Sequence, residues 1–234
     1  MEKLIYALWA RNGNRETLNQ ALLGPVSDAL GQHARVLRIN VQDEEVASGN
    51  SPRSAVTQPQ MDAFVQLWVD SVYGAAPQIE KVLGKLCDRI EGWLVTEATI
   101  IPNSAHRAEP GGRTPGFSQM VMLTRPEELS HDEWRRNWQN DHTRVGIETQ
   151  SNFEYIQNLV ARPLTNGDSK VLAIVEECFP IEALNDPAVF YDAVGDSAKQ
   201  ARNVETMMAS CARFIPQTGC DCIPTSQYDL ISLT

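Results

Sequence analysis

The sequence lacks most of the signatures that announce the commoner activities. No G-x-G-x-x-G follows an expected strand, and there is no Walker loop, no H-E-x-x-H and no G-x-S-x-G. Nucleotide cofactors, zinc hydrolysis and serine hydrolysis therefore have no support in the chain. Positive charge is scarce: 20 Lys and Arg stand against 30 Asp and Glu, a net charge of −10. Such a surface repels phosphate backbones and anionic lipid heads, which argues against nucleic acid and membrane as partners; acidity by itself serves solubility. No stretch reaches the ~18 apolar residues of a membrane span. The opening MEKLIYALWARNGN holds only a short apolar run and no small-residue cleavage site, so a cytoplasmic location is expected. The five cysteines (Cys87, Cys178, Cys211, Cys220, Cys222) are odd in number and irregularly spaced. A disulfide framework is not expected from them. Cys220-Asp221-Cys222 has no second pair and no nearby His, and reads as a reduced loop pair rather than a metal site.

What is present is a chain of 234 residues, 42% hydrophobic, long enough for a sizeable core in one or two domains. Asn103–Gly116 (NSAHRAEPGGRTPG) has two Pro, three Gly and no apolar periodicity. It reads as a linker, and the chain divides into a first repeat at 1–102, a linker at 103–117 and a second repeat at 118–234. The first half reads as a strand at Leu4–Trp9 and a helical stretch over Asn14–His33 that Gly24-Pro25 should kink. A strand at Ala34–Val41 follows, then a polar exposed loop over Gln42–Gln60 with Asp43-Glu44-Glu45 as a solvated turn. A strand at Met61–Val69, a helix at Pro77–Cys87 and a strand at Gly92–Ile100 complete it. The second half gives a strand at Gln119–Leu123 and a helix from His131 to Glu148, with Ser130 and Glu133 as a capping box. A strand at Phe153–Ala161 and an Asn166-Gly167-Asp168 hairpin turn come next. A strand at Lys170–Cys178, a helix at Ala198–Cys211 and a strand at Gln227–Leu233 end it.

Both halves thus follow the βαββαβ order of a ferredoxin-like α+β fold. Met120–Leu123 and Val171–Val175 are apolar on both strand faces. A sheet covered by helices on one side needs only one apolar face, so the other must be covered as well. Two independent domains would satisfy the element order. The doubly apolar strands favour two sheets facing each other as a closed barrel within one chain.

The helix SHDEWRRNWQNDHTRVGIE places Trp134, Trp138 and His142 four residues apart, drifting only ~40° per step, so they share a face with Val145. A half-buried His at the end of an aromatic stripe is held neutral by desolvation, the form a general base requires. On pattern alone, a lone His on an apolar helix face is more often a packed core residue, and the two Trp more often fill core. Tyr155, on the next strand, can donate a hydrogen bond into a cleft. Glu97, Glu176 and Glu177 lie on expected strands, where an acid either faces solvent or lines a pocket.

Thr124-Arg125-Pro126, Leu129-Ser130, Glu133-Trp134, Trp138 and His142, with a W-x-x-x-H arrangement, resemble the EthD family of the dimeric α+β barrel superfamily. Gly92–Glu97 is similar to the last strand of such a domain. The resemblance implies a tandem fusion of two such domains, a pseudo-dimer within one chain that a further homodimer would extend. It implies a cleft between sheet and helices, His142 as the catalytic residue, and Trp134, Trp138 and Tyr155 as substrate-binding residues. In the first half, Leu18 and Leu22 stand where the two Trp would be, and Val26 or Leu23 where His142 would be, so one cleft per chain is expected. The implied activity is a cofactor-independent enzyme of oxidoreductase (monooxygenase) or cyclase/isomerase type, acting on a small apolar or aromatic molecule. A non-catalytic small-molecule binding protein and an accessory subunit of an oxygenase system are the alternatives. No metal is expected. Haem stays open at this level, because one axial His suffices.

Overall fold

The computed structural model describes residues 1–47, 49, 54–165 and 169–232. Eight antiparallel strands close one barrel: β1 Glu2–Ala10, β2 Val36–Val41, β3 Ala63–Val69, β4 Cys87–Ile101, β5 Phe117–Leu123, β6 Glu154–Pro163, β7 Ala173–Phe179 and β8 Asp221–Ile231. Around the barrel the order is β1-β3-β2-β8-β5-β7-β6-β4. Each half therefore repeats the arrangement 4-1-3-2, and the halves meet at β2–β8 and β4–β6. The long strands make both seams. β4 pairs with β1 through Cys87–Val95 and with β6 through Trp93–Ile101. β8 pairs with β5 through 221–225 and with β2 through 226–231. This is the dimeric α+β barrel built within one chain, and closure removes the sheet edges that two separate sheets would expose.

Helices cover the outside: α1 Arg15–Leu22, α2 Pro25–Gly31, α3 Glu44–Ala47, α4 Val72–Leu83, α5 His131–Arg135, α6 Thr143–Thr149, α7 Pro187–Phe190 and α8 Ser197–Cys211. Between α5 and α6, Arg136–His142 is π-helical, so the expected single α-helix from His131 to Glu148 carries a widened middle. The capping box at its start is present, with Ser130 Oγ accepting from Glu133 N–H and the Glu133 carboxylate accepting from Ser130 N–H at 3.0 Å.

The doubly apolar strands do bury both faces, but the barrel interior is apolar along only part of its length. Ile5, Trp9, Phe64, Trp93, Met120 and Ile174 fill one portion. The remainder holds Arg38, Asn40, Gln66, Glu154, Glu176 and Gln227, all buried. Arg38, from the first half, donates to Glu176 at 3.0 Å, Glu154 at 3.2 Å and Asp229 at 2.6 Å, all from the second half. Lys3 pairs with Glu97 at 2.7 Å.

Several boundaries differ from the expectations. α4 begins at Val72, whose N–H donates to Glu2 at 2.7 Å, and Pro77 lies inside it rather than at its start. Cys87 opens β4 instead of ending that helix. β8 starts at Asp221, six residues before the expected Gln227, and contains Pro224. Proline is tolerated there because β2 reaches only as far as Ser226. The missing N–H thus falls on the open side of the strand, where Cys222 N–H instead meets Ser54. Asp43 is not a solvated turn residue: Ser226 Oγ and Tyr228 Oη donate to it at 2.7 and 2.9 Å. The segment read as a linker is docked on β8, with Gly111 and Thr114 N–H donating to the Asp229 and Gln227 carbonyls. The Asn166-Gly167-Asp168 turn lies outside the described residues.

Candidate functional site

Successive strand residues point to opposite faces, and this separates Glu176 from Glu177. Glu176 enters the barrel. Glu177 points outward into a cleft of about 500 Å³ between the second-half sheet and its helices. Gln119, Val121 and Leu123 of β5, Tyr155 of β6 and Val175 of β7 share that floor. The roof comes from Met207, Met208 and Cys211 on α8 with Phe214 beyond it, and the wall from Trp138, His142, Phe190 and Tyr191. On the first half, Leu4, Tyr6, Leu8, Leu18, Leu22 and Ile79 pack the corresponding space solid.

His142, Trp138 and Tyr155 line the cleft, while Trp134 does not. Trp134 is fully buried beneath it, its ring 5.2 Å from Trp138 and its Nε1 donating to the Phe214 carbonyl at 3.1 Å. It supports the wall and has no face for a ligand. His142 lies at the end of the π-helical stretch, its ring 4.6 Å from Phe214 and its Nδ1 3.0 Å from Ser210 Oγ. That leaves Nε2 for a ligand. Burial, helped by the Arg213 cation, holds the imidazole pKa down at about 4, so the ring is neutral at neutral pH.

Glu177 is shifted the other way. Burial pushes its carboxyl up to about 7, and the hydrogen bond from Asn152 Nδ2 to Oε1 at 3.1 Å offsets only part of this. Tyr155 Oη accepts from Gln157 Nε2 at 2.9 Å. Burial, and then the Glu177 charge, raise the phenol well above its ordinary value and keep it a donor. Burial pushes the thiol of Cys211 up to about 12 and that of Cys220 up to about 11, with Cys222 raised as well. These thiols are protonated and poorly nucleophilic. Two titratable groups pushed apart in one apolar cleft are the arrangement that acid–base chemistry uses.

Among the described residues no three His, Cys, Asp or Glu groups gather as a metal site. The cleft does not fit haem either. Phe214 packs on the His142 ring, and no Lys or Arg among the described residues lines the wall to meet propionates.

Sequence reasoning placed Glu177 among three strand acids without choosing between them. The two-residue alternation of β7 distinguishes it from Glu176 once the barrel face is known. Ser210, Asn152 and Gln119 carry no signal of their own in the sequence, because each is brought in by a different element.

Residues 126–217 match the EthD domain family. An anthrone oxidase-like protein has the same fold, with a TM-score of 0.56 at 12% identity over 97% of this chain and 90% of that one. A monooxygenase-like protein from Fusobacterium nucleatum subsp. nucleatum gives 0.52 at 8% identity, over 98% and 92% of the respective chains. Among curated proteins, none matches the chain in sequence.

Proposed function

We propose that the chain is a cofactor-independent enzyme of oxidoreductase type, which holds a small aromatic molecule in the second-half cleft and removes a proton from it there. The single observation that carries this reading is the pairing of a neutral His142 with a Glu177 of pKa about 7 on the walls of one apolar cleft. The EthD match over 126–217 takes in β6, β7, α8 and the wall helices of that cleft, but neither β5 nor β8.

The roles follow from the two pKa shifts. A general base works best when its pKa lies near the working pH. Glu177 meets that condition and His142, at about 4, is a weaker base. Glu177 accepts the proton. His142, through Nε2, and Tyr155, through its hydroxyl, hydrogen-bond the substrate oxygen on which charge gathers. The apolar wall strengthens both contacts, since fixed dipoles act there without competing water. Removing a proton from an activated methylene gives a carbanion that dioxygen can oxidise. For an anthrone, the methylene and dioxygen become a quinone carbonyl and water. The fold shared with an anthrone oxidase-like protein makes a hydroxylated anthrone the natural first compound.

Oxygen uptake with that compound should fall about 10²–10⁴-fold in Glu177→Gln and, by a smaller factor, in His142→Ala, with Trp fluorescence unchanged. Unchanged uptake in both variants contradicts the proposal. Undiminished binding of the aromatic without turnover, in the wild-type chain and under every gas phase, would favour the binding-protein alternative.

A further inference from the structure

Gln119, Glu177 and Tyr155 stand side by side on three neighbouring strands. Gln119 is the register partner of Glu177, and Glu177 is that of Tyr155. All three line the cleft. Neighbouring strands lie about 4.8 Å apart, so three polar side chains cross an otherwise apolar floor in a row.

Gln119 is 7% exposed. Its Nε2 donates to Cys222 Sγ at 2.7 Å, and its Oε1 has no hydrogen-bond partner. A buried acceptor left without a donor is destabilising, and a ligand hydroxyl that donates to it removes that cost. Beside it, Glu177 receives Asn152 on Oε1, which leaves Oε2. Tyr155 accepts from Gln157 and keeps its own proton to give. The row therefore offers acceptor, acceptor and donor at regular steps.

Charge narrows the ligand further. Among the described residues no Lys or Arg lines the cleft. Arg213, whose charge reaches His142, is itself tied to Asp141 and Asn137. An anionic ligand would meet a buried carboxyl with no counter-charge, which is costly.

We propose that the cleft selects an uncharged, flat aromatic carrying two hydroxyl groups in a 1,3 relation, one donating to Gln119 Oε1 and the other to Glu177. The step between strands is close to the separation of the two oxygens on a meta-dihydroxybenzene ring, and a fused second ring lies against Trp138 and Phe214. This rests on the cleft being the substrate site, as proposed above. It adds a specificity residue, Gln119, that takes no part in proton transfer.

Calorimetric titration of the full chain with naphthalene, naphthalene-1,3-diol, its dimethyl ether and 1,3-dihydroxy-2-naphthoate tests it without any need for turnover. The diol should bind about tenfold or more tightly than the ether, as expected for two uncharged hydrogen bonds, and the naphthoate should bind more weakly than the diol. Gln119→Leu should lose most of the diol's advantage and keep the wild-type affinity for naphthalene. Gln119→Met replaces it if the leucine variant does not hold naphthalene. Equal affinity for diol and ether, or a naphthoate as tight as the diol, overturns the inference and leaves the cleft reading standing. Failure of every naphthalene compound to bind overturns both.

Discussion

At the residue scale the decisive feature is that one apolar cleft shifts two acids in opposite directions. For Glu177 the folded value, about 7, lies above the ordinary 4.5. The folded chain then holds an extra proton between those values, so the group's contribution to stability is fully present at low pH and is lost as pH rises through that window. Glu177→Gln removes this liability. The variant should be more stable than wild type by roughly 1–3 kcal/mol near pH 8 and about equal to it near pH 4, read by urea denaturation. His142 behaves oppositely: its value falls from 6.5 to about 4, so its contribution is present above that window and is lost as pH falls through it. A stability gain in the variant that lowers turnover is the usual sign of a functional group kept at a cost to the fold.

At the scale of elements, much was legible and the failures have causes. Strand apolarity on both faces announced the barrel, because no single layer of helices could cover both. The capping box at Ser130 and the Gly24-Pro25 break between α1 and α2 were read from local chemistry, which depends on few neighbours. The helix expected from Pro77 begins instead at Val72, because its start is fixed by Glu2, far away in sequence. β8 was cut short because Pro224 resembles a loop residue until the open side of the strand is known. The stripe Trp134, Trp138, His142 was read on an ideal α-helix. The π-helical stretch over Arg136–His142 and the Phe214 carbonyl instead place Trp134 beneath the cleft and His142 on its wall. Such widened turns occur often at functional sites, where they re-aim a side chain.

At the scale of the whole molecule, fusion of the halves allows asymmetry. The first half packs its outer face solid, and the second keeps a cleft. Between them the barrel interior carries a buried charge network centred on Arg38, which joins β2 to three strands of the other half. Such a network is weak evidence for stability, but breaking it is costly. Arg38→Met, leaving Glu154 and Glu176 buried without their cation, should destabilise the chain by about 3–5 kcal/mol in thermal or urea unfolding. A loss below about 1 kcal/mol would mean that the two carboxyls are neutralised without it. The central claim, that the cleft raises Glu177 into the working range of a general base, is tested most directly by the ¹³C chemical shift of its side-chain carboxyl, assigned by its disappearance in Glu177→Gln. A titration midpoint near 7 in the wild-type chain is the expected result; a midpoint at the ordinary 4.5 would contradict the account.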